Sequence, residues 1–575
     1  MVRRMKRLPL VAVLLVSAVA AADPAQDFLR AYQSIFLGLN RISQDAQWTA
    51  STDVSDEHEG ERTGANSALA AFQGDRWVVE SCKKLLAARK KLPALVARQL
   101  DKIVLAAAEG PGTIPDETKA RVAEESRQAA VMDAYTFKID GKPVSANDID
   151  DVLHKSRDLN ARKKAWDASK EIGFVLRDGL QSLVKLRNRV AREMGFSSYF
   201  ALQVADYDMS EDEMMKLLDS FVADTKPMFD KLHALAREKL AARYKQPAPQ
   251  GAIPAHWIDN RWAQEWSGLV EGGVDLDPRF KDKTASFIVK TAEKFWVSLG
   301  FEPLPPIFWE KSDLYPIKAT DKRKKNNHAT AWHMDLDRDV RSLMSVKPDS
   351  YWFFTAHHEL GHIYYYLSYS RPDVPPILRQ GANRAMHEAM GELAGLAARQ
   401  PVYLKAIGVL APDAKLDERA VLLDEALDSG LPLLAWAAGT MPHFERDLYS
   451  KELPQSEWQK RWWENVAKFQ GVVPPSERPQ NGCDACSKYH IIQNPAQYYN
   501  YAIATVIKYQ LHDHICKKIL KSDPHQCNYF GHKEVGDFLR SIMKLGATKP
   551  WREVIQQATG EPLSTRAMLD YFKGI

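Results

Sequence analysis

The run His357-His358-Glu359-Leu360-Gly361-His362 decides the reading of this chain. It is preceded by Tyr351-Trp352-Phe353-Phe354 and followed by Ile363, Tyr364, Tyr366 and Leu367, a setting that suits a helix. On a helix, positions i and i+4 share a face, so His358 and His362 can point at one ion. Glu359 then sits beside the first ligand, within reach of a water at the metal. Two histidines four apart can equally be a packed pair or a solvated face. A second segment weighs against that. After a breaker-rich stretch (Arg371, Pro372, Pro375, Pro376, Gly381) comes Met386-His387-Glu388-Ala389-Met390-Gly391-Glu392-Leu393, with Glu388 and Glu392 on one face. Carboxylates repeating on an apolar segment call for a compensating cation. Two histidines plus a glutamate from a second helix form a known catalytic zinc set that leaves the fourth position open. The expected metal ligands are His358, His362 and Glu388, with Glu392 orienting a ligating histidine from behind.

The chain has 575 residues, 45% of them hydrophobic and 26% charged, which is ordinary globular composition with ample material for a core. A net charge of +4 makes no demand for nucleic acid. Residues 1–22 read as a signal peptide. Arg3, Arg4, Lys6 and Arg7 precede a short apolar run from Leu8 to Val19, and small residues around Ala20 to Ala22 suit cleavage. That run is too short for a comfortable span, and no later stretch is apolar enough to cross a membrane. A secreted or periplasmic protein, residues 23–575, is therefore expected. The five cysteines agree with export. Cys516 and Cys527 flank a short loop, Cys483 and Cys486 form a C-x-x-C that can be a local clip, and Cys82 is left over. No Asn-x-Ser/Thr sequon occurs, which suits a periplasm better than a eukaryotic surface.

Apolar positions recur at helical spacing in Phe28–Ile42, Ala68–Ala87 and Leu95–Ala108. Residues 136–245 read as further long helices, one opening at the N-cap Ser210 with acids in its first turn. Between Pro303 and Asp349 the helical pattern lapses into short alternating pieces that suggest a small sheet. The run Lys322-Arg323-Lys324-Lys325 reads as a solvated loop. Residues 393–470 are helical and Trp-rich. A Lys, a His and two Tyr then cluster at Lys488, His490, Tyr498 and Tyr501, able to supply donors to a carboxylate and to an oxyanion.

Taken together, His-His-Glu-Leu-Gly-His-Ile-x-Tyr-Tyr, Arg-x-Gly-Ala-Asn and His-Glu-Ala-Met-Gly-Glu resemble the angiotensin-converting enzyme family of zinc peptidyl-dipeptidases, and the likeness runs with gaps over most of the mature chain. It implies a mainly α fold: a large helical zincin with a deep central cleft between two helical halves, an N-terminal helical lid and a small β-sheet near the active site. The stretch Gln47-Trp48-Thr49-Ala50-Ser51 resembles the lid region weakly. The resemblance also assigns roles. Gln264, in Asn260-Arg261-Trp262-Ala263-Gln264, would help hold the substrate's C-terminal carboxylate with Lys488 and Tyr498. In His328-Ala329-Thr330-Ala331-Trp332, the backbone of Ala329 and Ala331 would pair with an extended peptide and His328 would bind a peptide carbonyl. Tyr501 would stabilise the oxyanion and His490 the reacting peptide, with Glu359 as general base. The Cys516–Cys527 pair resembles a disulfide loop of the family.

There are departures. Positions that hold chloride-binding arginines in vertebrate members are Asn500, Val466 and Lys170 here, which makes chloride activation doubtful. Glu392 stands where an Asp is expected, the gap between His362 and Glu388 is two residues longer than usual, and a cysteine pair expected around His328 is missing. The resulting expectation is a zinc peptidase that releases C-terminal dipeptides from oligopeptides with a free C-terminus. The rivals are a zinc oligo-endopeptidase of thimet type and a catalytically silent peptide-binding homologue.

Overall fold

A computed structural model describes residues 23–269, 276–318 and 320–575; the expected signal peptide, residues 1–22, lies outside the described residues. The protein is 66% helical with a few short strands, so the mainly α expectation holds. Five helices carry the argument: α1 (Pro24–Thr52), α2 (Glu211–Tyr244), α3 (Ser350–Tyr369), α4 (Arg384–Arg399) and α5 (Tyr499–His514). None of the described helices is long and apolar enough to cross a membrane. α2 begins where its capping box predicts: Ser210 and Glu213 each satisfy the other's backbone N–H. α3 is capped by Asp349, whose side chain accepts from Trp352 N at 2.8 Å, and α4 by Asn383, which accepts from Met386 N at 2.9 Å.

Among the described residues, six short strands form three two-stranded sheets: β1 (Phe137–Ile139) with β2 (Lys142–Val144), β3 (Ile253–Pro254) with β6 (Val472–Val473), and β4 (Thr330–His333) with β5 (Val340–Leu343). The β4–β5 hairpin is the sheet expected between Pro303 and Asp349. Alternation along β4 gives it two working faces. Trp332 and Met334 pack with Trp48 of α1, the two indoles meeting edge-on at 5.6 Å. His333, on the opposite face, stacks on Tyr366 of α3 at 5.0 Å. The C-terminal end of α1 also bonds to the loop before the hairpin, through Asn326 N to Ser51 O at 2.9 Å.

Three expectations need correction. The segment Ala68–Ala87 is not one helix: it divides between helices Asp56–Gln73 and Arg76–Leu86. Residues 136–245 are not helical throughout, because β1 and β2 form a hairpin at their start. Asp140 (φ 51°) and Gly141 (φ 76°) are both left-handed, the backbone that a tight two-residue hairpin turn requires. The basic run is not a solvated loop throughout. Lys325 is buried, its ammonium donating to Asp313 Oδ1 at 2.6 Å and to the carbonyls of Tyr315 and Met344 at 2.7 and 2.6 Å. With the Asp313 carbonyl at 3.2 Å, four acceptors converge there, so the charge is spent on tying the loop to the hairpin. Both disulfides form, Cys483–Cys486 and Cys516–Cys527, and Cys82 is a buried free thiol.

Candidate active site

Helices α3 and α4 pack against each other through glycine. A Cβ on Gly361 would meet Gly391 Cα and Met390 O at 2.8 Å, and a Cβ on Gly391 would meet the His358 imidazole at 2.9 Å. Only bare backbone permits this approach. It brings His358, His362 and Glu388 together, with ligand atoms within 4.8 Å of one another. His358 Nε2 lies 3.1 Å from His362 Nε2 and 3.7 Å from Glu388 Oε1. Among the described residues this is the one group of three or more such side chains able to hold a metal ion.

The neighbouring groups sort themselves by environment. His357, first of the run, is not part of the triad. It is buried, bonded to Phe353 O at 2.8 Å and to Tyr403 OH at 2.9 Å. Glu359 is buried, and desolvation pushes its carboxyl up to about 7, with the Glu388 charge adding to the rise. Burial likewise raises Glu388, partly offset by His358. Glu392 behaves differently from expectation. Its carboxylate accepts from Lys508 Nζ of α5 at 2.7 Å, and the ammonium holds it below the ordinary range despite burial. It stands near enough to His358 for their charges to interact, but the ring that meets a ligand histidine is His387, whose Nδ1 lies 2.8 Å from His362 Nδ1.

These groups line a cavity of about 700 Å³. From α3 it takes Tyr351, Phe354, Thr355, His358, Glu359, His362 and Tyr366, a single helical stripe. From α4 it takes Arg384, His387, Glu388, Glu392, Gly395 and Arg399, again one stripe, and from α5 Tyr501 and Lys508. The fourth wall is His328, Ala329, Thr330 and Ala331 at the start of β4. In the described residues β4 pairs with β5 alone, and the Ala331 carbonyl accepts from Tyr366 OH at 3.3 Å across its other side.

A second cluster adjoins the first. Lys488 Nζ donates to Gln264 Oε1 at 2.8 Å and Tyr498 OH donates to the same oxygen at 3.3 Å. Trp262, Trp436 and Tyr498 surround the ammonium, each ring centroid 5.3 Å away. Burial, helped by the nearby Arg261 charge, brings the lysine down to about 7. Tyr498 links this cluster to the cavity, with its ring 4.9 Å from Tyr501 and 4.6 Å from His490. His490 Nδ1 is buried without a hydrogen-bond partner among the described residues.

Sequence reasoning missed three groups here. Buried Glu445 accepts from Ala496 N at 2.6 Å and so pins the turn ahead of Tyr498, where Ala496 is left-handed (φ 58°). Lys508 was legible as a lone cation directly after the largely apolar run from Ala502 to Ile507. His387 directly precedes Glu388 in the same motif, and its sequence position carries no signal of its contact with His362. Of the departing chloride positions, Lys170 is buried over Trp262, Val466 lines the same small hollow beside Trp462 and Trp463, and Asn500 turns its amide to Gln497 O at 2.6 Å.

An HExxH helix crossed by a second helix bearing a glutamate, under a short strand, defines a helical metallopeptidase. The chain belongs to the angiotensin-converting enzyme family, peptidase M2, whose model matches residues 19–575. It is 30% identical over 557 residues to angiotensin-converting enzyme of Theromyzon tessulatum, covering 92% of this chain and 87% of that one. It is also 30% identical to the enzymes of Sus scrofa and Bos taurus over 447 and 448 residues, 74% of this chain but 33% of theirs.

Proposed function

We propose that the chain is an exported zinc peptidyl-dipeptidase. The observation that carries this reading is the convergence of Gln264, Lys488 and Tyr498 beside Tyr501: a cation and two hydrogen-bonding groups for a carboxylate, next to the reacting centre. The donor set fits zinc, being two imidazoles and a carboxylate with buried acids around them that a cation would relieve. His358, His362 and Glu388 would hold the ion, which supplies Lewis acidity and lowers the pKa of a water toward ~7.

The remaining work falls to side chains. Glu359 takes the proton of the attacking water and returns it to the leaving amine. Tyr501 donates to the oxygen that gains negative charge, and His490 bonds the reacting peptide. Ala329 and Ala331 offer main-chain groups to an extended peptide as an added strand, with His328 on a peptide carbonyl. Gln264, Lys488 and Tyr498 grip the terminal carboxylate. A fixed distance from that grip to Glu359 measures out two residues, so the product is a dipeptide.

Residues 23–575 are read as one peptidase domain, supported by a continuous hydrophobic cluster that runs from Ala25 to Phe572. Two disulfides suit an oxidising compartment, in line with removal of residues 1–22 on export. Chloride activation stays doubtful: Asn500 and Val466 offer no cation, and Lys170 alone of the three positions is basic. The test is mass spectrometry of products from a free-acid oligopeptide and its C-terminally amidated twin, each with and without a chelator. Stepwise dipeptides from the free acid alone, abolished by the chelator, are expected. Internal cuts at equal rates in both would make the protein an endopeptidase instead.

A further inference from the structure

We infer that His387 is a positioning residue that fixes the tautomer of His362, doing with a neutral ring what a carboxylate commonly does behind a metal-bound histidine. The inference rests on the metal site proposed above. His362 Nε2 lies 3.1 Å from His358 Nε2, so this nitrogen points to where the ligand atoms converge. Its other nitrogen, Nδ1, lies 2.8 Å from Nδ1 of His387. Two ring nitrogens at that distance share one proton, so one donates and the other accepts. A neutral imidazole that offers its Nε2 lone pair to a metal carries its proton on Nδ1. His362 is therefore the donor and His387 the acceptor. His387 must then carry its own proton on Nε2, where the Tyr369 hydroxyl oxygen stands 3.4 Å away to accept it weakly. The protons run in one direction, from His362 through His387 to Tyr369.

Packing keeps the ring in this orientation. His387 lies against His362, Tyr365 and Tyr366, with centroids 4.9, 4.8 and 4.7 Å away. The choice of an imidazole also has an electrostatic reason. Glu359, Glu388, Glu392, Glu425 and Asp428 already line the cavity, and a further carboxylate would repel them. A histidine supplies the acceptor without the charge.

The experiment titrates apoprotein with zinc against a chromophoric chelator. His387→Leu, which cannot accept a hydrogen bond, should weaken zinc by about 10–100-fold. His387→Gln, whose amide oxygen can accept from His362 Nδ1–H, should recover most of that loss. Tyr369→Phe should show a smaller weakening. The cobalt-substituted proteins give a second readout, with the visible bands of His387→Leu displaced and those of His387→Gln close to native. Native affinity and an unchanged cobalt spectrum in His387→Leu would overturn the assignment. If that variant does not fold, His387→Gln decides, since a zinc loss there as large as in His358→Ala also overturns it. Failure of native protein to bind zinc, or retention of zinc by His358→Ala, would instead remove the metal site itself.

Discussion

His358, His362 and Glu388 stand on two consecutive helices that touch glycine to glycine, whereas Lys488 and Gln264 are brought together across 224 residues on irregular backbone. The first side is built from periodicity: both helices present one stripe to the cavity, and a spacing of four sets the ligands. The second side is built from turns. Ala263 (φ 52°) and Ala496 (φ 58°), neither a glycine, hold left-handed backbone just before Gln264 and Tyr498. Such conformations persist only where the surroundings impose them, and they gather at sites that need a side chain aimed. The metal side thus carries the chemistry, and the anchor side carries the measure of where the cut falls. The two should be separable by mutation.

The largest effect should come from Glu359→Gln, which removes the proton carrier while leaving the ligands. We expect kcat to fall about 10²–10⁴-fold with zinc content and peptide affinity retained, read by kinetics and metal analysis on the same sample. Full activity in a zinc-loaded Glu359→Gln protein would remove the general base from the account. Tyr501→Phe should lower kcat by about 10²–10³-fold with little change in KM, because the hydroxyl acts on charge that develops only in the transition state. A rise confined to KM would instead move Tyr501 to the anchor.

Smaller effects sharpen the contrast. A Cβ in Gly391→Ala would press on the His358 ring at 2.9 Å. Overpacking of about 1–3 kcal/mol should weaken zinc roughly tenfold while leaving the preference for free-acid over amidated peptides intact. If the preference changed and zinc affinity did not, the two sides would not be independent. The anchor has its own pH dependence. Lys488 is depressed by burial to about 7, so its cationic form, the one that attracts a carboxylate, is lost as pH rises through that value. Dividing kcat/KM for a free-acid peptide by that for its amide cancels the titration of Glu359. The quotient should be level below pH 7 and then fall by up to about tenfold per pH unit. A quotient level from pH 6 to 9 would contradict the assignment of Lys488.

The helical character, the β4–β5 hairpin and the metal triad were legible because each is written in local spacing. Glu388 could be singled out as a carboxylate on an apolar stripe, and Ser210 as a cap. The anchor was not readable in that way. Gln264 carries no periodic signal and only family resemblance named it, while Lys488 stood out as a donor near His490 and two tyrosines but with nothing to tie it to Gln264. Elsewhere charge misled the reading. Lys325 looked solvated because sequence shows a basic run but not the carbonyls that converge on it. The ion pair of Glu392 was hidden because Lys508, which takes its carboxylate, lies on a third helix. The hairpin at Asp140-Gly141 carries a turn signal, but its strands are three residues each, too short to show an alternating pattern among helical segments.

The claim that the anchor sets the cut is tested most directly by the discrimination between a free-acid peptide and its amide, measured as a ratio of kcat/KM in the native protein and in Lys488→Met. Removing one partner of a buried charge contact costs about 2–5 kcal/mol. The account predicts that the native ratio is large and that the substitution brings it down by about a hundredfold, with zinc content unchanged. An equal ratio in both proteins would contradict it.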